Sequence, residues 1–159
     1  MHDGPIVIAY DGSSGADRAI REAGALLSGH RALVLAVWHA GTGWESVELP
    51  ASSIGLPPSA VDVNAALDID HELFERAQRV ARHGAVVAEE AGFEVEPLVV
   101  ADEPGRSVAD TVIKAARERK APAIVVGAHG HGRVAEALMG STSRDLIRHA
   151  DCPVLVVRE

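Results

Sequence analysis

The sequence predicts an α/β fold, a three-layer sandwich in which helices cover both faces of a five-stranded parallel sheet. Short β-branched runs alternate with segments of helical periodicity, an order typical of parallel strands joined by right-handed crossovers. The run at 32–37 lacks polar alternation, as expected for a strand covered on both faces. Because 159 residues fit one domain best, we predict a single domain over 1–159.

Composition and charge exclude several classes of partner. Lys and Arg number 15 against 23 Asp and Glu, a net charge of −8 that disfavours nucleic acid as a partner. The longest apolar run, 32–38, is far shorter than the ~18 residues that a membrane span needs, so no membrane partner is expected.

The single cysteine, Cys152, cannot form an internal disulfide, and the N-terminus lacks a signal-peptide pattern. A cytoplasmic location is therefore expected.

The first strand and helix have clear local signals. Residues 5–10 form a β-branched run that ends in the turn sequence at 11–15. Ser14 and Asp17 resemble a capping box with Asp in place of Glu. Small apolar residues then recur at helical spacing: Ala16, Ala19, Ile20, Ala23 and Leu27.

The regular pattern lapses between about 38 and 67, where glycine, proline and serine are frequent. We predict a long flexible loop over this segment, followed by a long helix that begins at Asp68 or Asp70 and ends at Gly92. The loop carries Trp44, Ile54 and Leu56. It is either a mobile surface loop or a lid or partner surface that covers these apolar groups.

The remaining elements complete the alternation. Strands are predicted at 94–101, 122–127 and 153–157, with a helix capped by Ser107 and another around 144–149. The expected strand order is 3-2-1-4-5, which is Rossmann-like. Ligands of such sheets bind at the carboxyl ends of the strands, where the order reverses. Asp11 and the loop after Gly127 would face each other at that point.

The segment from Gly127 to Ser143 concentrates the chemistry. Its glycines allow backbone N–H groups to converge on an anion, and Ser141 and Ser143 lie at the start of the last helix. Arg133 and Arg144 would add positive charge. The alternative is a turn-rich connection with an ordinary serine N-cap.

Two familiar nucleotide motifs fit this segment poorly. Gly127-x4-Gly132 imitates a Walker A loop, but Arg133 and Val134 replace the required Lys and Ser/Thr. Gly130-x-Gly132-x-x-Ala135 satisfies the dinucleotide fingerprint, yet that fingerprint belongs in the first βα turn. Neither a P-loop nor a dehydrogenase is predicted.

The pattern Gly-x2-Gly-x9-Gly-Ser, formed by Gly127, Gly130, Gly140 and Ser141, resembles the nucleotide-binding signature of the universal stress protein family. Further resemblance extends over the chain. It lies at 9–13, 34–37, 125–127 and 151–157. The resemblance implies the fold already predicted, here in its adenine nucleotide alpha hydrolase-like form.

The resemblance also implies roles for individual residues. Asp11 would contact ribose, the backbone of Val37 would hold adenine, and Val126 would line the adenine pocket. Phosphate contacts would come from Gly127, Gly130, Gly140, Ser141 and Ser143, with the backbone N–H of Thr142 beside them. From the residues alone, Asp11 is either a ribose acceptor or an Asx-turn residue ahead of a helix.

Neither a metal site nor a catalytic residue is predicted. His129 and His131 lie two residues apart, but no third ligand is evident nearby. Cys152 is better explained as a small buried residue beside Pro153 than as a reactive thiol. Efficient phosphoryl transfer needs metal and charge clamps for which the sequence gives no pattern.

These observations predict a homodimeric sensor or regulator that binds ATP or a related adenine nucleotide, with or without Mg²⁺. The resemblance implies dimerisation through the last strand, Val154–Val157, and apolar edge strands invite pairing. Two alternatives stay open. One is a weak ATPase or phosphotransferase that uses the same pocket, and the other is a nucleotide-independent interaction protein. The protein effector is unknown from sequence.

Overall fold

Parallel strands and four helices alternate along the chain in the computed structural model, which describes residues 3–42, 60–130 and 139–158. The elements follow in chain order. They are β1 (Ile6–Ala9), α1 (Ser14–Leu27), β2 (Arg31–Trp38), α2 (Ala60–Glu90), β3 (Glu94–Ala101), α3 (Val108–Glu118), β4 (Ile124–Gly127), α4 (Ser141–His149) and β5 (Val154–Val157).

The sheet has the order β3-β2-β1-β4-β5, and every pairing is parallel. The predicted fold class and strand order are confirmed. The order reverses between β1 and β4, where Val7 pairs with Ile124 and Ile8 with Val125. The carboxyl ends of these two strands therefore lie side by side, the geometry that forms a ligand crevice in open α/β sheets.

Each face of the sheet has its own apolar core. On one face, Ile8 and Val34 pack with Ile20 of α1 and Ala88 of α2. On the other face, the core consists of the alternate strand residues together with α3 and α4. Its fully buried members include Val7, Val112 and Leu146. The strands are buried from both sides, which explains why β2 has no polar alternation.

Tyr10 fixes the position of α2 against β1. A Cβ atom on Gly84 of α2 would lie 2.6 Å from the Tyr10 ring, so the helix approaches the ring closely enough to require glycine. The Tyr10 hydroxyl donates a 2.5 Å hydrogen bond to Asp17 of α1. One buried side chain thus joins the end of β1 to both helices on this face.

The predicted start of the long helix is wrong. The helix begins at Ala60 rather than at Asp68 or Asp70, so residues 60–67 are helical and do not belong to a loop. Ala66 is completely buried, and this burial helps to stabilise the helical turns that precede Asp68. The rest of the predicted loop, 43–59, with Trp44, Ile54 and Leu56, lies outside the described residues.

Helix capping also differs from the prediction at α1. The N-cap is Ser13, whose Oγ accepts a 3.2 Å hydrogen bond from the N–H of Ala16. The Ser14 prediction is one residue too late, and Asp17 bonds to Tyr10 instead of closing a capping box. At α3 the prediction is confirmed, since Ser107 and Asp110 form a complete capping box.

None of the helices in the described ranges is long and apolar enough to cross a membrane.

Candidate functional site

Asp11 lies at the carboxyl end of β1, directly after Tyr10. Its Oδ1 accepts a 2.9 Å hydrogen bond from the N–H of Ser13, which closes an Asx turn before α1. The turn orients the carboxylate toward the crevice between β1 and β4. The two interpretations of Asp11 are therefore compatible, because one carboxylate oxygen holds the turn and the other faces Gly130.

The segment after β4 reaches Asp11 at Gly130. A Cβ atom on Gly130 would lie 2.5 Å from Asp11 Oδ2, closer than side-chain carbons approach oxygen. Gly130 does not have a left-handed backbone, so glycine matters here because any larger residue would push the Asp11 carboxylate aside. The structure thus brings together two residues that the sequence separates by more than one hundred positions.

The carbonyl of Ala128 joins the two ends of the glycine-rich segment. It accepts a 2.7 Å hydrogen bond from the N–H of Gly140 and a 3.0 Å hydrogen bond from Ser143 Oγ. The N–H of Ala128 donates to the carbonyl of Val157 in β5, also at 2.7 Å. The start of α4 is thereby fixed beside the end of β4.

Close backbone contacts favour glycine at two further signature positions. A Cβ atom on Gly140 would lie 3.2 Å from the Ala128 oxygen, and one on Gly127 would lie 3.1 Å from the carbonyl oxygen of Gly15. Both distances are tighter than ordinary contacts of a side-chain carbon. These glycines therefore allow the ends of β4, α1 and α4 to meet.

The N-terminus of α4 lies beside the carboxyl end of β4, because Gly140 is hydrogen-bonded to Ala128. Gly140 is the N-cap and provides no side-chain cap. The first intrahelical hydrogen bond runs from Arg144 to the carbonyl of Gly140 at 3.2 Å. The N–H groups of Ser141, Thr142 and Ser143 precede it, and such groups together with the helix dipole attract anions.

The two signature serines have different surroundings. Ser141 is exposed, whereas Ser143 is 2% exposed and its hydroxyl faces the carbonyls of Ala128 and Gly140, each at 3.0 Å. A hydroxyl donates only one proton, which these two carbonyls share. The Ser143 side chain therefore supports the segment, and the group it can offer to an anion is its backbone N–H.

Val37 and Val126 lie on the sheet face that α3 and α4 cover. Val126 is 7% exposed within that core, and Val37 is half-buried against it. The carbonyl of Leu35 accepts from the N–H of Tyr10 at 2.9 Å. Because strand backbone groups alternate in direction, those of Val37 also face the β1 side, just beyond the end of β1.

The Tyr10 hydroxyl beside the site stays neutral. Burial raises the pKa of Tyr10 above its usual range, and the hydrogen bond to Asp17 raises it further, with a smaller contribution from Asp11. His83 Nε2 lies 3.8 Å from the same Asp17 oxygen. The hydroxyl therefore acts as a hydrogen-bond donor that anchors the start of the Asp11 turn.

Sequence reasoning missed one pair of polar side chains at this edge. His39 follows β2 and Asp102 follows β3, and the Nδ1 atom of His39 is hydrogen-bonded to Asp102 Oδ2. Asp102 comes directly after one predicted strand, and His39 comes two residues after another. Their positions after neighbouring parallel strands were the available signal.

His131 and Arg133 lie outside the described residues. Within the described ranges, no group of three or more His, Cys, Asp or Glu side chains is arranged to hold a metal ion. A cavity of about 340 Å³ borders Cys152 and Lys120 at the opposite, amino end of the sheet. Burial raises the pKa of the Cys152 thiol.

A family model for the universal stress protein family matches residues 4–158. The chain belongs to the universal stress protein family. A universal stress protein of Thermus aquaticus is 34% identical over 153 residues, which cover 96% of this chain and 97% of that protein. A relative in Bacillus subtilis is 27% identical, with coverage of 96% and 97%. A Mycobacterium tuberculosis relative is 30% identical, but the match spans only 45% of its length.

Solved structures of the family share the fold. A protein known as MJ0577 has a TM-score of 0.74 at 21% identity, and the match covers 100% of this chain and 98% of that one. The universal stress protein from Archaeoglobus fulgidus in complex with dAMP has a TM-score of 0.60 at 24% identity, with 98% of each chain covered. A universal stress protein in complex with cAMP has a TM-score of 0.57 at 20% identity, again with 98% of each chain covered.

The different surroundings of Ser141 and Ser143 lead to a stability prediction. We expect Ser143→Ala to lower the free energy of unfolding by about 1 kcal/mol, because a buried hydrogen bond from the hydroxyl is lost. Ser141→Ala, the matched control, should change it by less than about 0.5 kcal/mol, because Ser141 is exposed. Urea denaturation measures both values. Equal stability of the two variants would contradict a supporting role for Ser143.

Proposed function

We propose that this chain binds an adenine nucleotide, ATP or a close relative, in the crevice at the carboxyl ends of β1, β2 and β4. The observation that carries the proposal is the meeting of three groups there. These are the Asp11 carboxylate, the glycine-rich segment after β4 and the N-terminus of α4. Relatives of the same family have been solved with dAMP and with cAMP.

Each part of a nucleotide has a chemically suitable neighbour in this arrangement. A carboxylate at a strand end accepts hydrogen bonds from ribose hydroxyls, which is the role proposed for Asp11. The backbone of Val37 would pair with the base, and Val126 would contribute apolar contact. Phosphates would meet the N–H groups of the signature residues: Gly127, Gly130, Gly140, Ser141, Thr142 and Ser143.

Binding rather than turnover is the proposed function, with the protein acting as a cytoplasmic sensor or regulator in stress responses. The support is the N-terminus of α4, which is held beside the end of β4 and whose first backbone N–H groups suit a bound phosphate. Nucleotide occupancy would bias the protein toward one of two states by its different affinity for them. Mg²⁺ would enter with the phosphates of the nucleotide rather than on a protein ligand set.

Isothermal titration of ATP, with and without Mg²⁺, tests this proposal. We expect binding to wild-type protein and at least tenfold weaker binding to Gly130→Ala, because the added methyl group displaces the Asp11 carboxylate. Asp11→Asn should weaken binding similarly, while its amide oxygen can still accept from Ser13 and preserve the turn.

Asp151→Asn is the matched control, because Asp151 pairs with Arg117 at the amino end of the sheet. It should bind ATP like wild type. An absence of heat with wild-type protein at millimolar ATP would overturn the proposal. ADP release, assayed in the same samples, separates binding from turnover, since a weak ATPase would lose release together with binding in Gly130→Ala.

We also propose that the chain forms a homodimer through β5. The two edge strands differ in their protection. The edge strand β3 carries Glu96 and Pro97, and charged residues and proline discourage pairing at an edge. The other edge strand, β5, consists of four half-buried apolar residues, VLVV. An unprotected apolar edge with open backbone groups favours pairing with a second copy.

The register of β5 identifies which backbone groups are open. The carbonyls of Pro153 and Val157 accept from β4 and the segment after it, so odd-numbered positions face inward. Val154 and Val156 therefore direct their N–H and C=O groups toward the open edge. In β3 the same alternation places Pro97 at an outward position, since Glu94 donates inward to His30.

Val156→Pro tests the dimer. The substitution removes an outward N–H without removing a hydrogen bond to β4, so we expect a folded monomer where wild type is a dimer. Sedimentation equilibrium measures the mass, and circular dichroism confirms the fold. Val86→Ala, at an exposed position of α2, is the control and should remain dimeric. A monomeric wild-type protein would contradict the proposal.

A further inference from the structure

A histidine and an aspartate meet one step beyond the ends of β2 and β3. Trp38 pairs with Ala101 in the sheet, and the next pair in register is His39 with Asp102. The N–H of Asp102 donates a 3.0 Å hydrogen bond to the carbonyl of Trp38, which extends the ladder to this point. The two side chains are also hydrogen-bonded to each other, through Nδ1 of His39 and Oδ2 of Asp102.

The pair lies on the same face of the sheet as the residues proposed to surround adenine. The Trp38 ring contacts Phe74 of α2, with ring centroids 5.5 Å apart, so Trp38 faces the α1 and α2 layer. Alternation then places Val37 and His39 on the opposite face. Val126 belongs to the core of that face. His39 is therefore at the rim of the proposed base site, two residues beyond Val37.

The backbone on both sides of the imidazole is held in place. The carbonyl of His39 accepts a 2.8 Å hydrogen bond from Thr42 Oγ1, and the N–H of Gly41 donates to Asp70 of α2 at 3.0 Å. The Asp102 side chain is only 16% exposed, whereas that of His39 is 66% exposed. One ring nitrogen is thus fixed by a sheltered carboxylate, and the other side of the ring reaches solvent.

The bond to Asp102 determines what the free side of the ring offers to a ligand. A carboxylate accepts but does not donate, so a neutral imidazole bonded to it carries its proton on Nδ1. In this neutral form Nε2 is a hydrogen-bond acceptor, whereas in the imidazolium form it would be a donor. An acceptor at the rim of a base site favours a ligand that donates there, and it repels one that presents a carbonyl oxygen.

Building on the proposed nucleotide site, we propose that His39 Nε2 selects purines with a 6-amino group by accepting a hydrogen bond from that group. Asp102 is a positioning residue, which acts by fixing the tautomer and orientation of His39. The ligand class is a 6-aminopurine nucleotide, and the class discriminated against is the 6-oxopurine nucleotides. Rejection follows because two acceptors would face each other.

Paired titrations of ATP and ITP test the inference, since ITP carries an oxygen in place of the 6-amino group. We expect wild-type protein to prefer ATP, and His39→Ala to reduce the ATP/ITP affinity ratio about three- to tenfold, as for one lost hydrogen bond. His39→Gln should retain part of the preference through its amide oxygen. Asp102→Asn should also reduce the ratio, because an amide both donates and accepts and no longer fixes the tautomer.

The control is His30→Ala, an exposed histidine just before the opposite end of β2, which should leave the ratio unchanged. If wild type binds ATP and His39→Ala weakens ATP and ITP equally, or changes neither, the inference is overturned while the proposed function stands. Wild-type protein that binds neither nucleotide overturns both. Because His39 is exposed, we expect its variants to fold, and circular dichroism checks the fold of these variants and of Asp102→Asn.

Discussion

The parallel pairing of β1 with β4 is the constraint on which the rest of the site depends. Residues 6–9 and 124–127 are far apart in the chain, yet their register places the turn at Asp11 beside the segment that begins at Gly127. Right-handed crossovers then place α1 and α2 on one face and α3 and α4 on the other. The crevice between the two carboxyl ends follows from this topology before any side chain contributes to it.

Backbone groups carry most of the proposed anion binding, which reconciles an anionic ligand with a chain of net charge −8. The Ala128 carbonyl holds Gly140 and Ser143 in place, so the first N–H groups of α4 are presented without a lysine clamp. Such preorganised dipoles attract phosphate locally even where the overall field is unfavourable. The close approach of Gly130 to Asp11 adds a carboxylate for neutral hydroxyl donors, at a separate point of the same crevice.

The strands were predictable because uninterrupted apolar runs bounded by turn residues are typical of a covered parallel sheet. Their order was predictable because strands and helices alternate along the chain, as in a Rossmann-like fold. The start of α2 at Ala60 was not predictable. Glycine and proline are frequent just before it, and the first turns are stabilised in part by the burial of Ala66, which the local sequence does not show. The sequence predicts phosphate contacts for both Ser141 and Ser143, but only the structure shows that the Ser143 hydroxyl is the buried one. The contact of His39 with Asp102 joins residues 63 positions apart, which no local pattern encodes.

The central claim is that a nucleotide binds at the carboxyl ends of β1, β2 and β4, and amide chemical shifts of ¹⁵N-labelled protein measure this most directly. On addition of ATP, the account predicts that resonances of Gly127, Gly130 and Ser141 to Ser143 move, together with Val37. Resonances at the amino end of the sheet, such as those of Lys120 and Cys152, should stay in place. Shifts confined to that opposite end, around the 340 Å³ cavity, would contradict the account.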